Sequence, residues 1–218
     1  MHGRSQQGVS PPAPAPLLPA FADLRDHLDN GDVVFFAGKS RFSRSIKRLT
    51  RSHWSHVALV ARPPGRAPLL WEATLDSDLA DVATGEMAPG VNLYDLEGWI
   101  RHYGGETAIR RLHVERTDVM RQALLAFYLE ARGRPYERNR LELLRSVLHG
   151  PLRNRKARTA SFFCSELVAE AYQRMGLLEA RPPSNTYTPH DFSPERKKPL
   201  PLQLGATLGE LVWVCKPE

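Results

Sequence analysis

At 218 residues, with 42% hydrophobic and 25% charged side chains, the chain has an ordinary globular composition and the length for a substantial core. Its two cysteines exclude a disulfide framework and have no metal-type spacing, and no apolar run approaches a membrane span. The net charge of +6 points mildly to anionic partners and to nothing more specific.

Residues 1–19 are rich in Pro, Ser, Gly and Gln and read as a disordered arm. The apolar stretch Leu17-Leu18-Pro19-Ala20-Phe21 is interrupted by proline and is not followed by a signal-peptide core. Together with so few cysteines this gives a cytoplasmic expectation. Phe21, Leu24 and Leu28 suggest a short helix ending at Asn30-Gly31, so residues 1–30 are set apart from a domain spanning 31–218.

That domain opens with Gly31-Asp32-Val-Val-Phe-Phe36, a turn followed by β-formers. Lys39 to Arg51 then places Phe42, Ile46 and Leu49 on one helical side among six cations. A solvated helix face explains those charges; an anion-binding rim through Arg44, Lys47 and Arg48, with Arg153 and Arg155 from further along the chain, is the alternative. Two strands follow, Ser55–Arg62 and Leu69–Thr74, joined through Pro63-Pro64-Gly65-Arg66. A hairpin centred near Pro64 sets His56 directly opposite Glu72 on one face of the sheet, and a one-residue slip would separate them.

Residues 75–90 read as a loop, Val91–Tyr94 as a short strand, Glu97–His102 as a helical turn and Thr107–Val114 as a strand with a charged side. A helix capped by Thr117 or Asp118 runs towards Gly133, and a shorter one over Leu141–Leu148 ends at Gly150-Pro151. A basic loop with Arg153, Arg155, Lys156 and Arg158 leads into Ser161-Phe-Phe-Cys164-Ser-Glu-Leu-Val168. There Leu167, Val168, Ala171, Tyr172 and Met175 recur at helical spacing, Ser161 or Thr159 is the N-cap and Gly176 the stop. The proline-rich stretch to Pro201 is irregular, with Asp191 a cap or turn residue, and Leu211–Cys215 is a last strand.

Cys164 therefore sits in the first turn of a half-buried helix, where the positive end of the dipole favours a thiolate. Its plain alternative is a small hydrophobe in a core. Taken with His56 and Glu72, it forms a set suited to nucleophilic catalysis. The imidazole takes the thiol proton, the carboxylate fixes the ring, and the Cys164 N–H is an oxyanion donor. His53 is a competing base, but it precedes the apolar run of its strand. Cys215 reads as an inert core thiol.

The motifs Gly31-Asp32-Val-Val-Phe-Phe, Trp54-Ser55-His56-Val57-Ala58-Leu59-Val60, Trp71-Glu72-Ala73, Gly133-Arg-Pro-Tyr136 and Phe163-Cys164-Ser165-Glu166-Leu167-Val168 occur in that order. The series resembles the circularly permuted branch of the NlpC-type, papain-like cysteine hydrolases, above all the YiiX-like group. In that branch His and carboxylate precede the cysteine, as here. The resemblance implies an α+β papain-like fold, a mainly antiparallel sheet packed against a helix with the catalytic Cys at its N-terminus. It implies Cys164 as nucleophile, His56 as base and Glu72 as orienting residue, with Tyr136 helping to hold the oxyanion. A turn tyrosine packed on the core is the other reading of Tyr136, because a long helical and basic insert separates it from Cys164. The implied substrates carry amide bonds in peptides or conjugated lysines, with acyl bonds of lipids next. A lecithin-retinol-type acyltransferase with weak anionic-lipid contact, or a silent binding module, would share the fold. No phosphate loop, dinucleotide fingerprint or metal-ligand cluster appears, so no cofactor is expected, and no nucleic-acid motif accompanies the basic segments.

Overall fold

The structure, a computed structural model, describes residues 16–74, 78–132 and 164–216. Runs of β-branched and aromatic residues make up six strands: β1 (Val33–Ala37), β2 (His56–Ala61), β3 (Leu69–Thr74), β4 (Gly90–Asp95), β5 (Glu106–His113) and β6 (Thr207–Cys215). They form one antiparallel sheet in the order β4-β3-β2-β1-β5-β6. Among the described residues the α-helices are α1 (Pro19–Arg25), α2 (Arg41–Thr50), α3 (Leu96–His102), α4 (Asp118–Ala131), α5 (Cys164–Arg174) and the single turn α6 (Pro189–Phe192).

The period-two alternation of the strands gives the sheet two apolar faces, each covered by helices. Val33, Phe35, Val57, Leu59, Trp71 and Ala73 pack with Leu124 and Phe127 of α4 and Leu167, Val168 and Tyr172 of α5. The opposite face, with Val34, Phe36, Ala58, Val60 and Leu70, packs with Phe21 of α1 and Leu96, Trp99 and Ile100 of α3. Residues before the domain start expected at Gly31 take part in this core. Phe21 and Leu28 are buried, Leu17 bridges to Cys215, and the Leu18 N–H donates to the Val214 carbonyl at 2.9 Å.

One expected register is corrected. Leu59 faces Trp71 and Ala61 faces Leu69, so the hairpin is centred on Gly65 rather than Pro64. Gly65 has φ +69°, a conformation that proline is barred from and glycine adopts freely, which sets the tip of the turn there. His56 is therefore not directly opposite Glu72 but diagonal to it. The displacement is two residues, so parity holds and both side chains stay on one face.

Helix α5 is held firmly for a reason visible in the first motif of the domain. The Tyr172 hydroxyl donates to the Gly31 carbonyl at 2.7 Å, and the neighbouring Asp32 carboxylate accepts from the Leu112 N–H at 2.8 Å and from Arg116 at 2.7 Å. Burial raises the Asp32 carboxyl pKa, and these partners act against the rise. At the other end of α5 the Ser165 hydroxyl donates to the Tyr187 carbonyl at 2.7 Å. Gly176, with φ +73°, follows the helix as its stop.

Candidate active site

The site lies where β2 and β3 part. Val60 of β2 donates to the Asp32 carbonyl next to β1, so Val57, of opposite parity, turns its N–H away from β1 and towards β3. The β2–β3 ladder has ended by then, at Leu59–Trp71. The Val57 N–H instead meets the sulfur of Cys164, the first residue of α5. Cys164 belongs to the core on one side of the sheet, whereas His56 and Glu72 alternate onto the other. The opening between the strands is what lets thiol and imidazole meet.

His56 Nε2 and Glu72 Oε2 are 2.7 Å apart. The carboxylate is fully buried and the imidazole 22% exposed. Nε2 is committed to Glu72, which leaves Nδ1 for Cys164. Burial works against the imidazolium, but the Cys164 thiolate and the Glu72 carboxylate overcome it and lift His56 to about 10. Burial alone would raise the Cys164 thiol pKa. The His56 charge and hydrogen bond, with the N–H groups of Val57 and Ser165, outweigh it and bring the pKa below the ordinary thiol value. Each group thus favours the charged form of the other, the thiol towards thiolate and the imidazole towards imidazolium.

Tyr103 is a neighbour that sequence reasoning missed. It follows α3, and its ring lies 4.8 Å from Phe36, which in turn lies 5.5 Å from the His56 ring. Its hydroxyl faces Ser55, whose Oγ accepts from the Gly38 N–H at 3.0 Å. Burial and then the Glu72 charge raise the phenol pKa, so Tyr103 remains a protonated donor beside the pair. Two glycines make the slot. A Cβ on Gly38 would lie 2.9 Å from the Tyr103 hydroxyl, and one on Gly105 would lie 2.7 Å from its ring and 2.6 Å from the Ala37 carbonyl oxygen. The local signal for this was the sequence Tyr103-Gly104-Gly105, an aromatic followed by residues that leave it room.

The other expected residues fall as follows. Tyr136, Arg153 and Arg155 lie outside the described residues. Arg44 and Arg48 are exposed on α2, whereas Lys47 is half-buried; burial lowers its pKa and the Glu106 charge opposes that. His53 does not face the thiol but pairs with Glu106 at 2.5 Å. Asp191 completes a capping box with Thr188 at the start of α6. Cys164 and Cys215 are both free thiols, and burial raises the pKa of the latter. Among the described residues no group of three or more His, Cys, Asp or Glu side chains stands ready to hold a metal, and no helix is long and apolar enough to cross a membrane.

The crystal structure of YiiX from Escherichia coli O157:H7, titled a metalloprotein, is similar at 23% identity and a TM-score of 0.47. The match covers 68% of this chain and 66% of that one, so it spans slightly under two thirds of YiiX. No curated protein matches. The family of permuted papain-like amidase enzymes, YaeF/YiiX (C92), matches over residues 27–198. By that match across most of its length, the chain belongs to the permuted papain-like amidases, a family of cysteine hydrolases with an α+β fold.

Proposed function

We propose that the protein is a cysteine amidase in which Cys164 is the nucleophile, His56 the general base and acid, and Glu72 the residue that orients and charges His56. The observation that carries this reading is the 2.7 Å contact between His56 Nε2 and a fully buried Glu72 oxygen, with the second ring nitrogen left for a thiol of lowered pKa. The thiolate attacks the amide carbonyl, and the Cys164 N–H at the start of α5 is a donor for the developing oxyanion. The His56 imidazolium gives its proton to the leaving amine as the C–N bond breaks, leaving a thioester on Cys164. Water then attacks the thioester, His56 takes its proton, and the thiolate departs with the acid released. The substrate class this chemistry and the family favour is an amide in a peptide or on a conjugated lysine.

The test is the pH dependence of Cys164 alkylation by iodoacetamide, read by intact mass, in the wild type, His56→Ala and Cys164→Ala. Fast labelling with an apparent pKa well below about 8.5, lost in His56→Ala, is the expected result. Labelling at the rate of an ordinary buried thiol, indifferent to His56, would overturn the assignment.

A further inference from the structure

Six cations and no acid lie between Lys39 and Arg51, as many charges as the net +6 of the entire chain. The rest of the molecule is balanced, so the excess is carried by α2 and its flanks. Arg41, Arg44 and Arg48 recur at spacings of three and four and share one side of the helix, and Arg51 follows as its left-handed C-cap. All four are exposed, and among the described residues none has a side-chain partner. Two arginines of the sheet and its edge are engaged by contrast: Arg110 donates to the carbonyls of Phe192, Leu208 and Gly209, and Arg116 to Asp32.

Arg48 and Arg51 suit the C-terminal end of the helix, but the other half of the stripe does not serve it. Arg41 and Arg44 stand at the N-terminal end, where a cation opposes the helix dipole, and like charges three and four residues apart repel. Among the described side chains of α2 only Ile46 is buried, and Leu49, beside the stripe, is 39% exposed. The helix is thus strongly basic on one side, apolar on another and low in overall hydrophobicity, the pattern of helices that lie on a membrane surface. We propose that α2 is a docking surface for anionic phospholipid bilayers, its guanidinium forks taking headgroup phosphates.

A bilayer suits the stripe better than the other anionic surfaces. All four stripe positions are arginine, so none is an aromatic that could stack on a base, as single-stranded nucleic acid would require. None is a carboxylate or an aromatic anchor of the kind found at the buried centre of a specific protein interface. Arginine takes phosphate bidentately, and a lattice of headgroups fills an even row of forks without demanding a sequence. The placement gives the surface a use. The helix begins three residues after Gly38, which lies against Tyr103, and Arg51 precedes His56 by five. A membrane gripped by α2 therefore lies beside the site.

The experiment is co-sedimentation of the full chain with vesicles of phosphatidylglycerol and phosphatidylcholine, and with phosphatidylcholine alone. The wild type is compared with variants carrying all four arginines as Gln or all four as Lys. Circular dichroism and thermal unfolding check that each variant is folded. The proposal expects wild-type binding to the anionic vesicles only, released by salt, weakened at least about tenfold in the Gln variant and largely kept in the Lys variant. Undiminished binding of the Gln variant would overturn it, as would equal binding to neutral vesicles. So would failure to bind vesicles with retention on polyglutamate or single-stranded DNA, which would identify a different anionic partner.

Discussion

Two histidine–glutamate pairs stand three residues apart in this chain and teach what turns such a pair into chemistry. His53 Nε2 lies 2.5 Å from Glu106 Oε2, and His56 Nε2 lies 2.7 Å from Glu72 Oε2. By contact geometry they are near equals. Their surroundings differ: the Glu72 carboxylate is fully buried, while that of Glu106 is 31% exposed beside a His53 that is 41% exposed. His53 is held in place by structure, its N–H on the Glu195 carboxylate and its ring edge-on to Trp54 and Trp213. His56 has the thiol. A desolvated carboxylate on one side and a sulfur on the other let it hold a proton to about 10, because charge acts more strongly where water is excluded.

The sharpest way to break this comparison is to remove the buried charge while keeping the shape. Glu72→Gln keeps an acceptor for Nε2 but deprives the imidazolium of its counter-ion. Amide turnover should fall by roughly tenfold to a hundredfold, less than in His56→Ala, and the alkylation pKa of Cys164 should rise towards that of a free thiol. An unchanged alkylation profile would mean that Glu72 merely fills space.

The pH profile sharpens the same point. Because the Cys164 pKa is lowered, kcat/KM should rise on an acid limb that lies below the ordinary thiol value. Because the His56 pKa is raised, it should fall again near 10, where the imidazolium that protonates the leaving amine is lost. A profile still climbing through that region would show that no imidazolium is needed.

A smaller effect is expected from Gly105→Ala. Its Cβ would press on the Tyr103 ring and the Ala37 carbonyl, and backbone cannot swing aside as a side chain can. A loss of about 1–3 kcal/mol in stability should appear as a lowered Tm. Tm equal to wild type would show that the slot around Tyr103 has slack. The least effect belongs to the other pair. His53→Ala removes a half-exposed hydrogen-bonded contact, so stability should change by no more than about 1 kcal/mol and turnover by less than about twofold. A collapse of turnover in that variant would exchange the roles assigned to the two histidines.

What the sequence alone determined here is the inventory and its order. The apolar alternation of 56–61 and 69–74, the helical spacing after Cys164, a cap at Thr117 or Asp118, the stop at Gly176, and the run of six cations are local properties. They obey the strand and helix periods whatever surrounds them. The shared parity of His56 and Glu72 survived even though the hairpin centre was misplaced by one residue, because moving the centre by one moves the register by two. The tertiary structure decided the rest. Whether Gly65 or Pro64 forms the tip depends on which backbone the packed sheet requires. Where β2 and β3 separate, freeing the Val57 N–H for the Cys164 sulfur, depends on α5 docking at that point. Tyr103 joins the site only because α3 crosses the face opposite α5 and two glycines leave it room. Burial itself, which separates Glu72 from Glu106 and so His56 from His53, is a property of the assembled core. No spacing along the chain encodes it, because the same two residue types at hydrogen-bonding distance behave differently once water is taken from one pair and left with the other.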